Sequence, residues 1–347
     1  MNIGFIVNDI NTELPTYTTV NLAFRAVQMG HKAYLMGVGE LVYLTDGRMG
    51  ALASEADPKS KSSEELLHPM QARDFKKKPI SSDELDVLFI RNDPSDDRET
   101  RPWAQSAGVI FGRIAMKQGV IVLNHPDSLF NALNKMYFQH FPEVVRPRTI
   151  ISRNPRDIRD FYMENKQKIV LKPLQGSGGK DVFLLKEKAT NLNQIVETIA
   201  RNGYVIAQEY LPEAKNGDIR LMMMNGNPLQ IDGKYAAFRR VNDNEDFRSN
   251  MSAGGHPEKA EITDEILELT RQIKGKLLQD GLFFVGLDIV GNKLMEINIF
   301  SPGGLLSSSK RYNVDFFEEM IKAIEKKVYY RDLYGGDISN KELAVID

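Results

Sequence analysis

No cysteine occurs in the 347 residues, so disulfide staples, thiolate zinc sites, iron–sulfur clusters and cysteine nucleophiles are excluded together. The composition fits a reducing compartment. An excess of one charge is lacking too: 45 Lys+Arg oppose 47 Asp+Glu, a formal net charge of -2. That balance gives no overall field for holding nucleic acid or an anionic membrane. No apolar run approaches the ~18 residues needed to span a bilayer. The opening Met1-Asn2-Ile3-Gly4-Phe5-Ile6-Val7 is too short in its apolar run for a signal peptide and lacks a basic leader, so it reads as a first strand. These absences predict a soluble, cytoplasmic protein with no nucleic-acid or membrane partner. Internal repeats and low-complexity tracts are missing as well.

What is present is enough chain for two or three domains with sizeable cores. Over the first ~125 residues short apolar runs alternate with a helical segment, as in a parallel sheet with crossover helices. Strands are expected at Ile3–Val7, Ala33–Met36, Asp86–Ile90 and Val120–Leu123, with a helix at Thr19–Gln28 ending at Gly30. The polar stretch Ala51–Asp83, with Lys76-Lys77-Lys78 inside it, reads as a solvated connection. From Lys135 onward, strand-like segments joined by glycine-rich or charged turns indicate antiparallel sheets: Ile169–Leu171, Val182–Leu185, Tyr204–Gln208, Leu221–Met224 and Phe283–Ile299. Amphipathic helices are expected near Thr263–Leu278 and Val314–Val328. Met222-Met223-Met224 alternates faces of a strand and reads as core filling rather than a metal site. The boundaries expected are 1–124, 125–205, 206–330 and a tail, 331–347, without functional signal.

The most specific local feature runs from Phe284 to Ile299 and turns at Gly291-Asn292. A two-residue loop would pair Asp288 with Met295 and mix polar with apolar residues on both faces. A three-residue loop, Gly291 to Lys293, pairs Asp288 with Glu296 and Gly286 with Asn298, and leaves Val285, Leu287, Ile289, Met295, Ile297 and Ile299 together. The second register therefore sets two carboxylates and an amide side by side on strand-forming sequence, where Asp and Asn are depleted. Such a cluster needs a cation, and hard oxygen ligands suit Mg²⁺. A second feature, Ile169-Val170-Leu171-Lys172-Pro173-Leu174-Gln175-Gly176-Ser177-Gly178-Gly179-Lys180, is a strand ending in lysine followed by a glycine-rich loop. Its backbone N–H groups can surround an anion, and neither the P-loop nor the dinucleotide fingerprint fits it. Third, Arg220, Arg239, Arg240 and Arg248 gather where sheet meets loop, and planar forks suit a carboxylate or phosphate. Lysine with cradle, magnesium triad and arginines together make a site for transferring the γ-phosphoryl of ATP.

The order Lys135, Lys172-Pro173…Gly176-Ser177-Gly178-Gly179, Gln208-Glu209-Tyr210-Leu211, Asp218, Arg220, Asp288, Glu296-x-Asn298 resembles the ATP-grasp superfamily and, within it, the bacterial glutathione synthetase family. Supporting stretches include Leu88–Pro94, Val122–Pro126, Ala207–Pro212 and Ser252–Gly255. The resemblance implies an α/β (α+β) ATP-grasp fold: a Rossmann-like pre-ATP-grasp domain, then two antiparallel-sheet lobes clasping ATP. It implies an ATP-dependent carboxylate–amine ligase acting through an acyl phosphate, with γ-glutamylcysteine and glycine as small-molecule substrates. Rival readings are a ligase with another pair, of the D-alanine–D-alanine or glutamate-adding kind, and an ATP-binding regulatory module without catalysis.

Residue by residue, the resemblance implies ATP contacts at Lys135, Lys172, Gly176, Ser177, Gly178 and Gly179, adenine reading at Gln208, Glu209, Tyr210 and Leu211, and ribose binding at Asp218. Asp288, Glu296 and Asn298 match magnesium ligands, for two ions, with Mn²⁺ as the alternative. Arg220, Arg240, Arg248 and Asn250 match catalytic positions, and Arg91, Asp93, Ser301, Gly303 and Gly304 match substrate contacts. A homo-oligomer, a tetramer, is implied likewise. The sequence departs from the family pattern at Asn92, at Ser95-Asp96-Asp97, over 234–248 and over 301–309. A cysteine-free chain suits acyl-phosphate chemistry and leaves no protein thiol to trap a thiol substrate.

Overall fold

The computed structural model describes residues 1–176, 181–242 and 256–347. Its first sheet has a parallel centre, with Lys32–Gly37, Asn2–Val7, Val87–Ile90 and Ile121–Leu123 side by side. These strands are buried on both faces, which is why they read as unbroken apolar runs. The helices Thr18–Gln28 and Ala107–Lys117 are among those that cover it.

The expected solvated connection over Ala51–Asp83 is corrected. Met49–Glu55 and Lys78–Ser81 are strands that extend the sheet antiparallel, and Ser63–Met70 is a helix whose Leu66, Leu67 and Met70 enter the core. Ser62 caps that helix by accepting from the Glu65 N–H. Lys77 pairs with Glu40 and Lys78 lies over the Tyr34 ring, so this lysine run is surface structure.

A four-stranded antiparallel sheet follows, in the order Phe183–Leu185, Ile169–Pro173, Val205–Glu209, Thr149–Ser152. Pro155–Glu164 and Leu192–Ala200 pack on it through Ile158, Phe161, Val196 and Ile199. The third sheet runs His256–Glu258, Ala237–Val241, Asp218–Met224, Phe284–Val290, Lys293–Asn298. Met222 and Met223 are buried in different core clusters on its two faces, as alternation requires. The helix Asp264–Gln279 matches its expected span closely, whereas the last long helix runs further than expected, Phe316–Tyr334. The tail is structural: Leu343 and Ala344 are buried, and Asn340 bonds both the N–H and the carbonyl of Val122.

Asn124, at the end of a parallel strand, fixes the third sheet to the first. Its amide bonds the Phe284 N–H at 2.9 Å and the carbonyls of Phe284 and Ile299 at 2.9 and 2.7 Å. Both ends of the Phe284–Ile299 hairpin are thereby held by one buried side chain. Among the described residues, no helix is long and apolar enough to cross a membrane.

Candidate active site

Within the third sheet, Arg220 stands opposite Asp288, and Asp288 opposite Glu296, so three neighbouring strands contribute one residue each to a single row. Gly286 faces Asn298 two residues away on the same side, and Asp218 faces Arg240. The expected pairing is present, but its expected cause is not. The turn is the two-residue Gly291-Asn292, with Val290 opposite Lys293 and Ile289 opposite Leu294, and a β-bulge between Asp288 and Ile289 absorbs the extra residue. Leu294, fully buried, takes the core position expected for Met295, and Met295 lines the cleft instead.

Arg220 grips Asp288 in a fork: Nε donates to Oδ1, and Nη2 to Oδ2 at 3.0 Å. A Cβ at Gly286 would meet the Arg220 stem at 3.2 Å, so the glycine gives that arginine room to lie across the strand. Arg240 donates through Nε to both Asp218 oxygens at 3.1 Å, and its Nη2 is 2.9 Å from Asp288 Oδ2. Asn298 Nδ2 is 3.3 Å from the same oxygen. Lys135 Nζ sits 3.1 Å from Glu296 Oε1, while Lys172 Nζ donates to Gln208 Oε1 at 3.0 Å.

Burial alone would raise the Asp288 carboxyl, but Arg220 and Arg240 outweigh it and hold this acid well below the ordinary carboxylate range. Glu296 is likewise lowered: burial opposes, and Lys135 prevails. Lys172 is pushed down to about 8 by burial and then by Lys135, with Glu296 and Asp288 acting the other way. Arg240 is raised, because Asp288 and Asp218 outweigh its burial. The site is thus a row of closely paired opposite charges beside an open cleft, whose walls include Lys135, Lys172, Gln208 and Glu296.

Other expected residues fall as follows. Gly176 lines the cleft; Ser177, Gly178, Gly179, Arg248 and Asn250 lie outside the described residues. Glu209 accepts from the Arg148 N–H at 2.7 Å, Tyr210 packs beneath Lys168, and Leu211 precedes the Pro212–Asn216 turn. Arg239 pairs with Glu258 at the surface. Asp93 caps Pro94–Asp97 and lines the cleft with Ser301. Gly303 offers its carbonyl to Arg220 Nη1 at 3.3 Å, and Gly304 precedes helix Leu305–Tyr312 with φ +101°.

Arg91 is 2% exposed and stands behind the cleft. It donates to Thr19 Oγ1, Phe300 O and Pro302 O at 3.1, 3.3 and 3.1 Å, against the rings of Phe89 and Phe284. Its donors organise the loop after the acidic hairpin. Met295 and Arg98 are among the cleft residues that the sequence pattern does not mark. Apolar Met295 is indistinguishable by pattern from Leu294, and Arg98 follows Ser95-Asp96-Asp97 with no local signal that sets it apart from a surface arginine.

This architecture is the ATP-grasp fold. The ATP-grasp ligase PsnB, solved with its minimal precursor, superposes with a TM-score of 0.56 over 93% of this chain and 98% of its own, at 18% identity, a likeness of fold alone. The family model described as prokaryotic glutathione synthetase, ATP-grasp domain, matches residues 134–313, and that of the N-terminal domain matches residues 1–129. Glutathione synthetase of Escherichia coli (strain K12) is 31% identical over 331 residues, covering 94% of this chain and 99% of the relative. That of Synechococcus elongatus is 31% identical over 335 residues, with the same shares of the two chains. The chain belongs to the prokaryotic glutathione synthetase family, ATP-dependent acid–amine ligases.

Proposed function

We propose that the chain joins the cysteinyl carboxylate of γ-glutamylcysteine to the amine of glycine, converting ATP to ADP and phosphate. The observation that carries this reading is the Arg220–Asp288–Glu296 row, with Lys135 and Lys172 beside it at one cleft, in a chain matched along its length by the family. The substrate carboxylate takes the γ-phosphoryl group, and the amine nitrogen then attacks the acyl carbon as phosphate leaves with its oxygen. Both steps gather negative charge on oxygen, and catalysis by positioning and fixed charge suits them. Lys135 and Lys172 hold phosphate oxygens; Arg220 and Arg240 supply guanidinium charge that burial keeps from water. Arg248 and Asn250, the glycine-rich loop from Gly176 to Gly179, the Gln208–Leu211 hinge and Asp218 keep the roles that the family pattern implies for them.

Magnesium fits this donor set. Asp288 and Glu296 are neighbouring carboxylates, and a flip of the Asn298 amide, whose Nδ2 lies 3.3 Å from Asp288 Oδ2, presents an oxygen at the same place. When bound, the ion would neutralise and orient phosphate oxygens. By family relation we also propose a cytoplasmic homo-oligomer, checked by fractionation and light scattering. The decisive assay is ADP release with MgATP while acid and amine are varied, with the product identified as glutathione. ADP release no greater with γ-glutamylcysteine and glycine together than with either alone would remove this substrate pair. Another rewarded pair would point to a different ligase of the fold, and binding without turnover to a regulatory module.

A further inference from the structure

Among the described residues, the arginines of the acidic row and of the loop behind it, Arg220, Arg240 and Arg91, are committed. Arg91 gives its three nitrogens to Thr19 and two carbonyls, Arg220 is forked on Asp288, and Arg240 serves Asp218 and Asp288. Arg98 differs. It lines the cleft with its side chain 23% exposed, and its Nη1 donates to the carbonyl of Gln175 at 3.0 Å. Its carboxylate contact, Nη2 to Glu99 at 3.5 Å, is to a side chain 72% exposed, where solvent screens the attraction. The remaining guanidinium donors can therefore turn to an anion in the cleft.

The base of this arginine is fixed. Asp93 caps the short Pro94–Asp97 helix, the Asp93 N–H donates to Asn8 Oδ1 at 2.7 Å, and Asn8 Nδ2 donates to Asp97 Oδ2 at 2.7 Å. Arg101 ties Asp97 in turn to the Asn8 carbonyl. A fork on a held base, anchored at one nitrogen, is pre-organised for a planar two-oxygen partner. Lysines on other elements, Lys135 and Lys172, are better placed for phosphates, and the Asp93 carboxylate on the Arg98 wall disfavours a triphosphate there while tolerating a single charge.

We propose that Arg98 is a specificity-determining residue that receives a substrate carboxylate not consumed in the reaction. The proposal rests on the ligase reading above. Two such groups exist: the α-carboxylate of the γ-glutamyl end and the carboxylate of glycine. Paired substrates distinguish them, namely γ-glutamylcysteine against 4-aminobutanoylcysteine, and glycine against glycinamide. For each pair the ratio of kcat/KM is measured in the unaltered chain, Arg98→Gln and Arg98→Lys. Glutamine can still donate to the Gln175 carbonyl but lacks the charge, so a purely structural role leaves both ratios unmoved.

The expected result is that Arg98→Gln reduces one ratio by about ten- to a hundredfold, the worth of a charged hydrogen bond. The other ratio and the KM for ATP stay where they were, and Arg98→Lys recovers part of the loss. Intrinsic reactivity differences between analogues cancel in this comparison. Two unchanged ratios, whatever happens to kcat or to the KM for ATP, overturn the role of Arg98 while the ligase reading stands. Absence of turnover by the unaltered chain with γ-glutamylcysteine and glycine overturns the substrate reading and this role with it.

Discussion

Replacing Asp288 by asparagine tests the charged row where its parts are most tightly coupled. Asp288 is 5% exposed, Arg220 8% and Arg240 7%, so none of the three can shed its charge into water. Without the carboxylate, Arg240 keeps Asp218, but Arg220 keeps only neutral acceptors such as the Gly303 carbonyl and becomes an unpaired buried cation. Stranding one member of a buried pair costs about 3–5 kcal/mol. Arg220→Gln should cost less, about 1–3 kcal/mol, because Arg240 still neutralises Asp288. The double variant strands neither charge, so its loss should fall short of the sum by about 2–3 kcal/mol. Urea unfolding of all four chains, without nucleotide or magnesium, gives this coupling independently of activity, which every substitution here should lower. A coupling under about 0.5 kcal/mol would refute the pair as drawn. The pH dependence has a definite sign. A carboxyl depressed by folding contributes stability above its unfolded value, and that contribution is lost as pH falls through the folded value. The gap between the unaltered chain and Asp288→Asn should therefore persist from pH 7 down to about 4 and close only in stronger acid.

Glu296→Gln should cut turnover far more than ATP affinity measured without magnesium; unchanged turnover would remove the hairpin from the chemistry. Lys172, pushed down to about 8, carries its charge below that pH, so kcat/KM for ATP should fall as pH rises through about 8, and Lys172→Arg should abolish the bend. Lys327, fully buried and bonded to Asn225 Oδ1 at 2.9 Å and Ile346 O at 2.8 Å, is pushed down to about 7, chiefly by burial. Between that pH and its unfolded value of about 10 the unfolded chain holds more protons, so thermal stability should rise with pH over this window, and Lys327→Met should flatten the rise. Gly304→Ala should destabilise by about 2–4 kcal/mol in denaturant titration, since φ is +101° there and the new Cβ would run into the Phe238 ring.

Which parts of this site could be read from sequence depends on the distance over which each is determined. Polar residues at Asp288, Glu296 and Asn298 interrupt an apolar alternation, and only one pairing puts them together, so the row was legible from two strands alone. The bulge was not, because Leu294 and Met295 are both apolar and either satisfies the pattern; what selects Leu294 is core space, a property of the packed sheet. The helix Ser63–Met70 left a weaker trace. Ser62 and Glu65 stand at capping-box spacing, yet Leu66, Leu67 and Met70 are too few to show a period among charged neighbours. Arg91 and Arg98 mark the limit. They lie seven residues apart in one stretch; one is walled in behind Phe300 and Pro302, the other faces the cleft from a turn held by Asn8. Nothing local separates a structural guanidinium from one free to recognise a ligand, since Arg91 is satisfied by Thr19, 72 positions earlier, and by two carbonyls 209 and 211 positions further along the chain. Chemistry carried by adjacent strands can therefore be inferred before the fold is known. Specificity carried by a loop waits until the fold shows which donors have been taken.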